Sequence, residues 1–227
     1  MTALIAAMLL AQTPTQANPT GQVWDREVVL SSFADAKPLG RVEIFIKLLG
    51  NGGARRKTIS TFFAETGKTY ITDEEEWDAI GRHTSFVRKT RIGTDAGQVT
   101  VSYTATGAVL SLTSPGRAPE SLAYEIPEGS VQGDPSRNWV LKHLPADKTE
   151  EDAARFDLDR MAWVKSKVSF EGKTSLVLRG QTHEAFVIKD DQGTTQWLDD
   201  KGLLIKQEVA DEAGLIKWER VSSKVLR

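Results

Sequence analysis

The chain contains no cysteine and only three histidines, and it has almost no net charge. Without cysteine there is no disulfide, no thiol nucleophile and no lipid-bearing N-terminal cysteine. An exported protein of this sequence would therefore rely on its core alone. A formal charge of -2 supplies no overall field to draw in nucleic acid or an anionic membrane, so no nucleic-acid partner is expected. His83, His143 and His183 lack the close ligand spacing of a zinc site. On a strand the adjacent His183 and Glu184 would point to opposite faces. No metal and no cofactor is expected.

Long apolar runs are lacking too. Leu4 to Ala11 falls far short of the roughly 20 residues that cross a bilayer, so an integral membrane protein is not expected. The opening "MTALIAAMLLAQTPTQANP" has the form of an export signal, and Thr15-Gln16-Ala17 has the small-x-small pattern of its cleavage site. The expectation is a signal peptide over residues 1–17 and a periplasmic or secreted protein over 18–227.

What the chain does have is alternation. In "RVEIFIKL" Val42, Ile44, Ile46 and Leu48 share one face, opposite Arg41, Glu43 and Lys47, with Phe45 the exception. Val99, Val101 and Tyr103 repeat the pattern, as do Val164, Val168 and Phe170. This period-two patterning predicts one-sided antiparallel strands. Three segments share a hairpin form, an aromatic followed by a short polar turn ending in Gly: Trp77 with Gly81, Tyr103 with Gly107 and Trp197 with Gly202. Gly fits there because such turns often need a positive φ.

One segment reads as helix. "LPADKTEEDAARF" has Pro145 at its entry, Thr149 as N-cap with Asp152 three residues on, and acids in its first turn. The expected fold class is all-β: a mainly antiparallel meander, forming a curved sheet or open half-barrel, with one short helix. A single β-rich domain is made of two meanders, about 22–113 and 161–226, joined by a loop and helix. They are either halves of one sheet or two packed sheets.

Chemical motifs are weak. "TGKT" at Thr66 and "EGKT" at Glu171 resemble part of a phosphate-binding loop, but Phe62 and Lys167 stand where the first Gly belongs. "GSVQG" lacks the spacing of a nucleophile elbow. The paired aspartates Asp190-Asp191 and Asp199-Asp200 occupy two equivalent turns, where Asp bonds nearby backbone N–H groups, so turn formation is favoured over calcium binding. Asp73 to Glu76 can meet Arg55 to Lys57 or Arg88 to Arg91 across strands, as a solvated outer face. No catalytic residue is identified, and the chain reads as non-enzymatic.

Six tryptophans are many for this length. They fill a core, or some line the open concave face of a curved sheet where an apolar ligand would lie. The lining candidates are Trp77, Tyr103, Trp163 and Trp197.

The C-terminal portion, "VSFEGKTSLVLRGQTHEAFVIKDDQGTTQWLDDKGLLIKQE", resembles uncharacterised exported bacterial proteins with the LolA-like fold of lipoprotein carriers and lipoprotein half-barrels. Trp197, Asp199, Asp200, Gly202 and Lys206 carry the likeness. It implies a lipid or other hydrophobic or amphipathic ligand on a concave sheet, and it transfers no catalytic residue. The alternative is an envelope module that contacts an envelope protein or glycan without a small-molecule ligand.

Overall fold

The alternation becomes register in a computed structural model of the protein, which describes residues 24–34, 37–64, 67–79, 82–114, 116, 118–128, 131–132, 150–158, 160–211 and 214–226. The expected signal peptide lies outside these residues. The first meander comprises β1 (Arg26–Ala34), β2 (Lys37–Leu48), β3 (Ala54–Ala64), β4 (Gly67–Trp77), β5 (His83–Ile92), β6 (Asp95–Tyr103), β7 (Gly107–Thr113) and β8 (Glu120–Glu125). After the short β9 (Val131–Gln132) come β10 (Glu150–Asp157), β11 (Ala162–Leu178), β12 (Gln181–Asp190), β13 (Thr194–Leu198), β14 (Leu204–Asp211) and β15 (Gly214–Val225).

Among the described residues all fifteen strands belong to one sheet, in the order β8 to β1, then β15 down to β9. The two meanders join where β1 pairs antiparallel with β15. The first and last strands thus lie side by side in the middle of the sheet. Every ladder is antiparallel except the short one between β9 and β10.

The expected helix is overturned where it can be followed. Glu150 to Asp157 form β10, in register with Ala162 to Ser169 of β11. The earlier part, residues 144–149, lies outside the described residues, among which there is no helix. Glu, Ala and Arg favour helix only by tenths of a kcal/mol each, Asp favours it only near the N-terminus, and tertiary packing overrides so weak a preference. As a strand the segment gains a ladder and buries Ala154 and Phe156, two positions apart on one face.

The main core forms where β1 meets β2. Val28, Leu30, Val42 and Ile46 pack together with Leu203. Phe45, which breaks the alternation, sits on the opposite face and packs against Trp24, with ring centroids 6.1 Å apart.

Among the described residues the ladder does not close, yet its ends meet. Trp163 Nε1 donates to the Tyr124 carbonyl at 3.3 Å, and the rings of Tyr124 and Phe156 are 4.9 Å apart. Lys165 Nζ donates to the Glu128 carbonyl at 3.3 Å. By alternation, Trp163 and Lys165 occupy the side of β11 opposite to Ser166 and Val168, which face the interior. The inner face of β6 to β8 therefore laps over the outer face of β10 and β11, as in a scroll. Val101, Ala108, Leu110 and Phe156 are the buried centre of the overlap.

Gly107, at the start of β7, sits in this lap. A Cβ there would come within 2.2 Å of the Tyr124 carbonyl oxygen. Its glycine serves close approach of two strands, whereas Gly202 serves the positive φ (69°) expected of a hairpin turn.

Candidate functional site

The scroll holds a half-open cavity of about 570 Å³. Its first wall is apolar: Val28 and Leu30 from β1, with Val42, Ile44 and Ile46 from β2. Val168, Ile188 and Leu198 extend that surface from β11 to β13. The second wall is polar, and the register explains why. Ile46, Ile44 and Val42 lie opposite Arg56, Thr58 and Ser60 of β3. Arg56 and Thr58 lie in turn opposite Glu75 and Asp73 of β4. Alternation carries the inward direction from strand to strand, so these polar side chains face the same space.

Charges brought inside a sheet must be paired, because desolvation penalises an isolated ion heavily. Arg56 Nη2 donates to both oxygens of Glu75, at 3.0 and 2.9 Å. His83 Nε2 lies 3.6 Å from Glu75 Oε2. Arg88 donates twice to Asp73, at 2.8 and 2.9 Å. The Arg56 guanidinium also lies 4.9 Å from the centre of the Trp77 ring, a cation–π contact. The His83 ring lies between Trp77 and Tyr103, with centroids 5.1 and 5.2 Å away. Burial, reinforced by the negative charge of Glu75, pushes the Tyr103 phenol well above its ordinary value. Its hydroxyl stays neutral at any physiological pH.

The solvated outer face expected for these charges needs correction. It holds for alternate residues: Arg55 pairs with Glu76 at 2.9 Å and Lys57 with Glu74 at 3.5 Å. By the same alternation, Arg56, Asp73, Glu75 and Arg88 point to the other side. Arg56, Asp73, Glu75 and His83 line the cavity, and all four were absent from the lining residues expected from sequence. The signal was present, since Glu75 stands two positions before Trp77 and therefore shares its face.

The structure brings three of the four expected lining residues together. Tyr103 lines the cavity, Trp77 is buried beside it across His83, and Trp163 lies 6.1 Å from Tyr103, within the overlap. Trp197 does not join them. Its neighbours Gln196 and Leu198 line the cavity, so Trp197 projects from the outer face. There it packs with Leu178, Ala185 and Ile205, and Lys206 Nζ sits 4.7 Å over its ring.

The aspartate pairs form turns. Asp199 Oδ1 accepts from the N–H groups of Lys201 and Leu203, at 3.0 and 2.9 Å. Asp190 Oδ1 accepts from Gln192 and Thr194, at 3.0 and 2.8 Å. The two turns share the same i+2 and i+4 pattern. Asp199 Oδ2 also holds Arg220, at 2.9 Å. Among the described residues no group of three or more His, Asp or Glu side chains is placed to hold a metal ion.

No family profile matches the chain, and no curated protein matches it. Among solved structures it is similar to a β-barrel-like protein from Brucella abortus, of the domain of unknown function DUF1849. The TM-score is 0.60 at 13% identity, covering 90% of this chain and 98% of that one. The likeness is one of fold. It covers nearly all of both chains and supports a barrel-like, all-β architecture.

Proposed function

We propose that the protein is a non-enzymatic exported protein that holds an amphipathic ligand, a lipid or lipid-like molecule, inside the scroll. The observation that carries this is the cavity's two-sided chemistry: an aliphatic wall from β1 and β2 adjoins a wall of paired charges and hydroxyls from β3 and β4. Acyl or other apolar groups gain by lying on the first, and a polar head can hydrogen-bond to the second. The volume of about 570 Å³ falls within the roughly 300–1,000 Å³ usual for small-molecule sites. Export is supported by the signal-like N-terminus. A lipid-type ligand is further supported by the resemblance of the C-terminal hairpins to LolA-like proteins.

The test is native mass spectrometry of protein purified from an exported fraction, followed by organic extraction and incubation with lipid extracts. The expected result is a stoichiometric adduct that is lost in Ile44→Trp, which fills the apolar wall while circular dichroism still reports a folded sheet. A clean apo mass with no uptake would overturn the proposal.

A further inference from the structure

The outer face of β3, β4 and β5 has two halves of opposite character. Near the β4–β5 turn every cation is answered by a carboxylate, as in Arg55–Glu76 and Lys57–Glu74. Toward the β3–β4 and β5–β6 turns, Lys68, Lys89 and Arg91 are exposed, and among the described residues none of them forms an ion pair with a carboxylate. Lys68 Nζ instead lies 5.7 Å from the Phe63 ring centre, and the Arg91 guanidinium 5.2 Å from that of Tyr70. The register brings these groups side by side: Phe63 faces Lys68, and Tyr70 faces Arg91.

Apolar surface is exposed among the cations. Phe63 is 51% and Tyr70 37% accessible. Aromatics next to uncompensated cations are the combination that favours an anionic lipid interface: the rings enter the headgroup layer while lysine and arginine meet lipid phosphates. A protein partner matched to this patch would need acids set opposite cations on two neighbouring strands, β4 and β5. A lipid surface supplies negative charge continuously.

We infer that this end of β3 to β5 docks on an anionic lipid surface. The inference goes beyond ligand binding in the cavity and does not depend on it. The two are neighbours, however: Phe62, adjacent to Phe63, faces inward and lines the cavity, so docking here would set one end of the cavity beside the membrane.

The test is co-sedimentation of the whole protein with vesicles of phosphatidylcholine, with and without phosphatidylglycerol. Two variants each remove two cations from the same outer face: K68A/R91A from the uncompensated half, and R55A/K57A from the paired half. The expected result is binding only to vesicles that contain phosphatidylglycerol, weakened by added salt. K68A/R91A should lose roughly tenfold or more in affinity, F63A/Y70A should lose affinity as well, and R55A/K57A should bind like the parent. Equal binding to both vesicle types, or equal losses in the two cation variants, would overturn the inference. So would a concentration-dependent dimer that F63A/Y70A abolishes, since a second copy would then be the occupant. Vesicle binding and the cavity adduct are read separately, so either proposal can fail alone.

Discussion

β1 and β2 line the cavity with Val28, Leu30, Val42 and Ile46, while the next two strands line it with Arg56, Thr58, Asp73 and Glu75. Both pairs have the same backbone geometry and alternate with the same period. They differ in what holds them in place. The first wall is stabilised by removal of aliphatic surface from water, at about 25 cal/mol per Å². The second gains little from burial, and its charges are tolerable inside because each carboxylate is clasped by a guanidinium. Alternation fixes which way a side chain points, and the curvature of the sheet decides whether that direction is solvent or interior.

The sharpest way to break this comparison is to remove aliphatic volume from one wall and a hydroxyl from the other. Leu30 is 2% exposed, and Leu30→Ala should cost about 2–5 kcal/mol, as loss of transfer energy plus a residual void. Ser60→Ala, on the polar wall, should stay within about 0.5 kcal/mol. Urea denaturation of the two variants checks both values. Equal losses would mean that the walls do not differ in the way their chemistry suggests.

A second probe breaks the polar wall where it is most costly. Glu75→Ala leaves Arg56 without the carboxylate that accepts both of its Nη2 hydrogen bonds. The Arg56 side chain keeps 27% of its exposure, so the loss should be moderate, roughly 1–3 kcal/mol. The paired replacement Arg56→Met with Glu75→Met should recover most of it, because no charge is then left unanswered. A double variant as unstable as the single one would assign these side chains a packing role that their charges do not explain.

Much of the fold was legible from sequence, and the two walls show where legibility ended. The strands, hairpins and antiparallel meanders followed from alternation in residues such as Val42, Ile44 and Ile46, and Asp190 and Asp199 form the turns their positions implied. Arg56, Asp73 and Glu75 alternate just as cleanly, but a charged face in a strand looks the same whether it meets water or a paired interior. β10 was hidden for another reason: its helix-favouring composition is a local preference, while the burial of Ala154 and Phe156 comes from β6 to β8, far away in sequence. The lapped edges were not legible at all, since long-range pairing leaves no periodic trace.

Trp197 extends the comparison to the outer face with a smaller effect. Trp197→Ala should uncover Ile205, which is 1% exposed, and cost roughly 1–2 kcal/mol. Uptake of an amphipathic ligand should be unchanged, because this ring projects away from the cavity. Lost uptake in native mass spectra, with the melting transition retained, would move the binding surface to the outside of the sheet.

The smallest effect is confined to alkaline pH, and it reports directly on the polar wall. Tyr103 holds its proton more tightly in the folded chain than in the unfolded one, first because it is buried and second because Glu75 is negative nearby. Below about pH 10 both states are protonated and the residue adds no pH dependence. Above that point the unfolded chain releases this proton while the folded chain keeps it. The unfolded state then binds fewer protons, so stability must fall as pH rises. Tyr103→Phe removes this contribution, and its urea midpoint should decline less steeply than the parent's above about pH 10. Because the Glu75 charge is the lesser cause, Glu75→Gln should flatten the slope only in part. Identical alkaline slopes in parent and Tyr103→Phe would place the phenol in water, and with it the end of the cavity that His83 and Glu75 share.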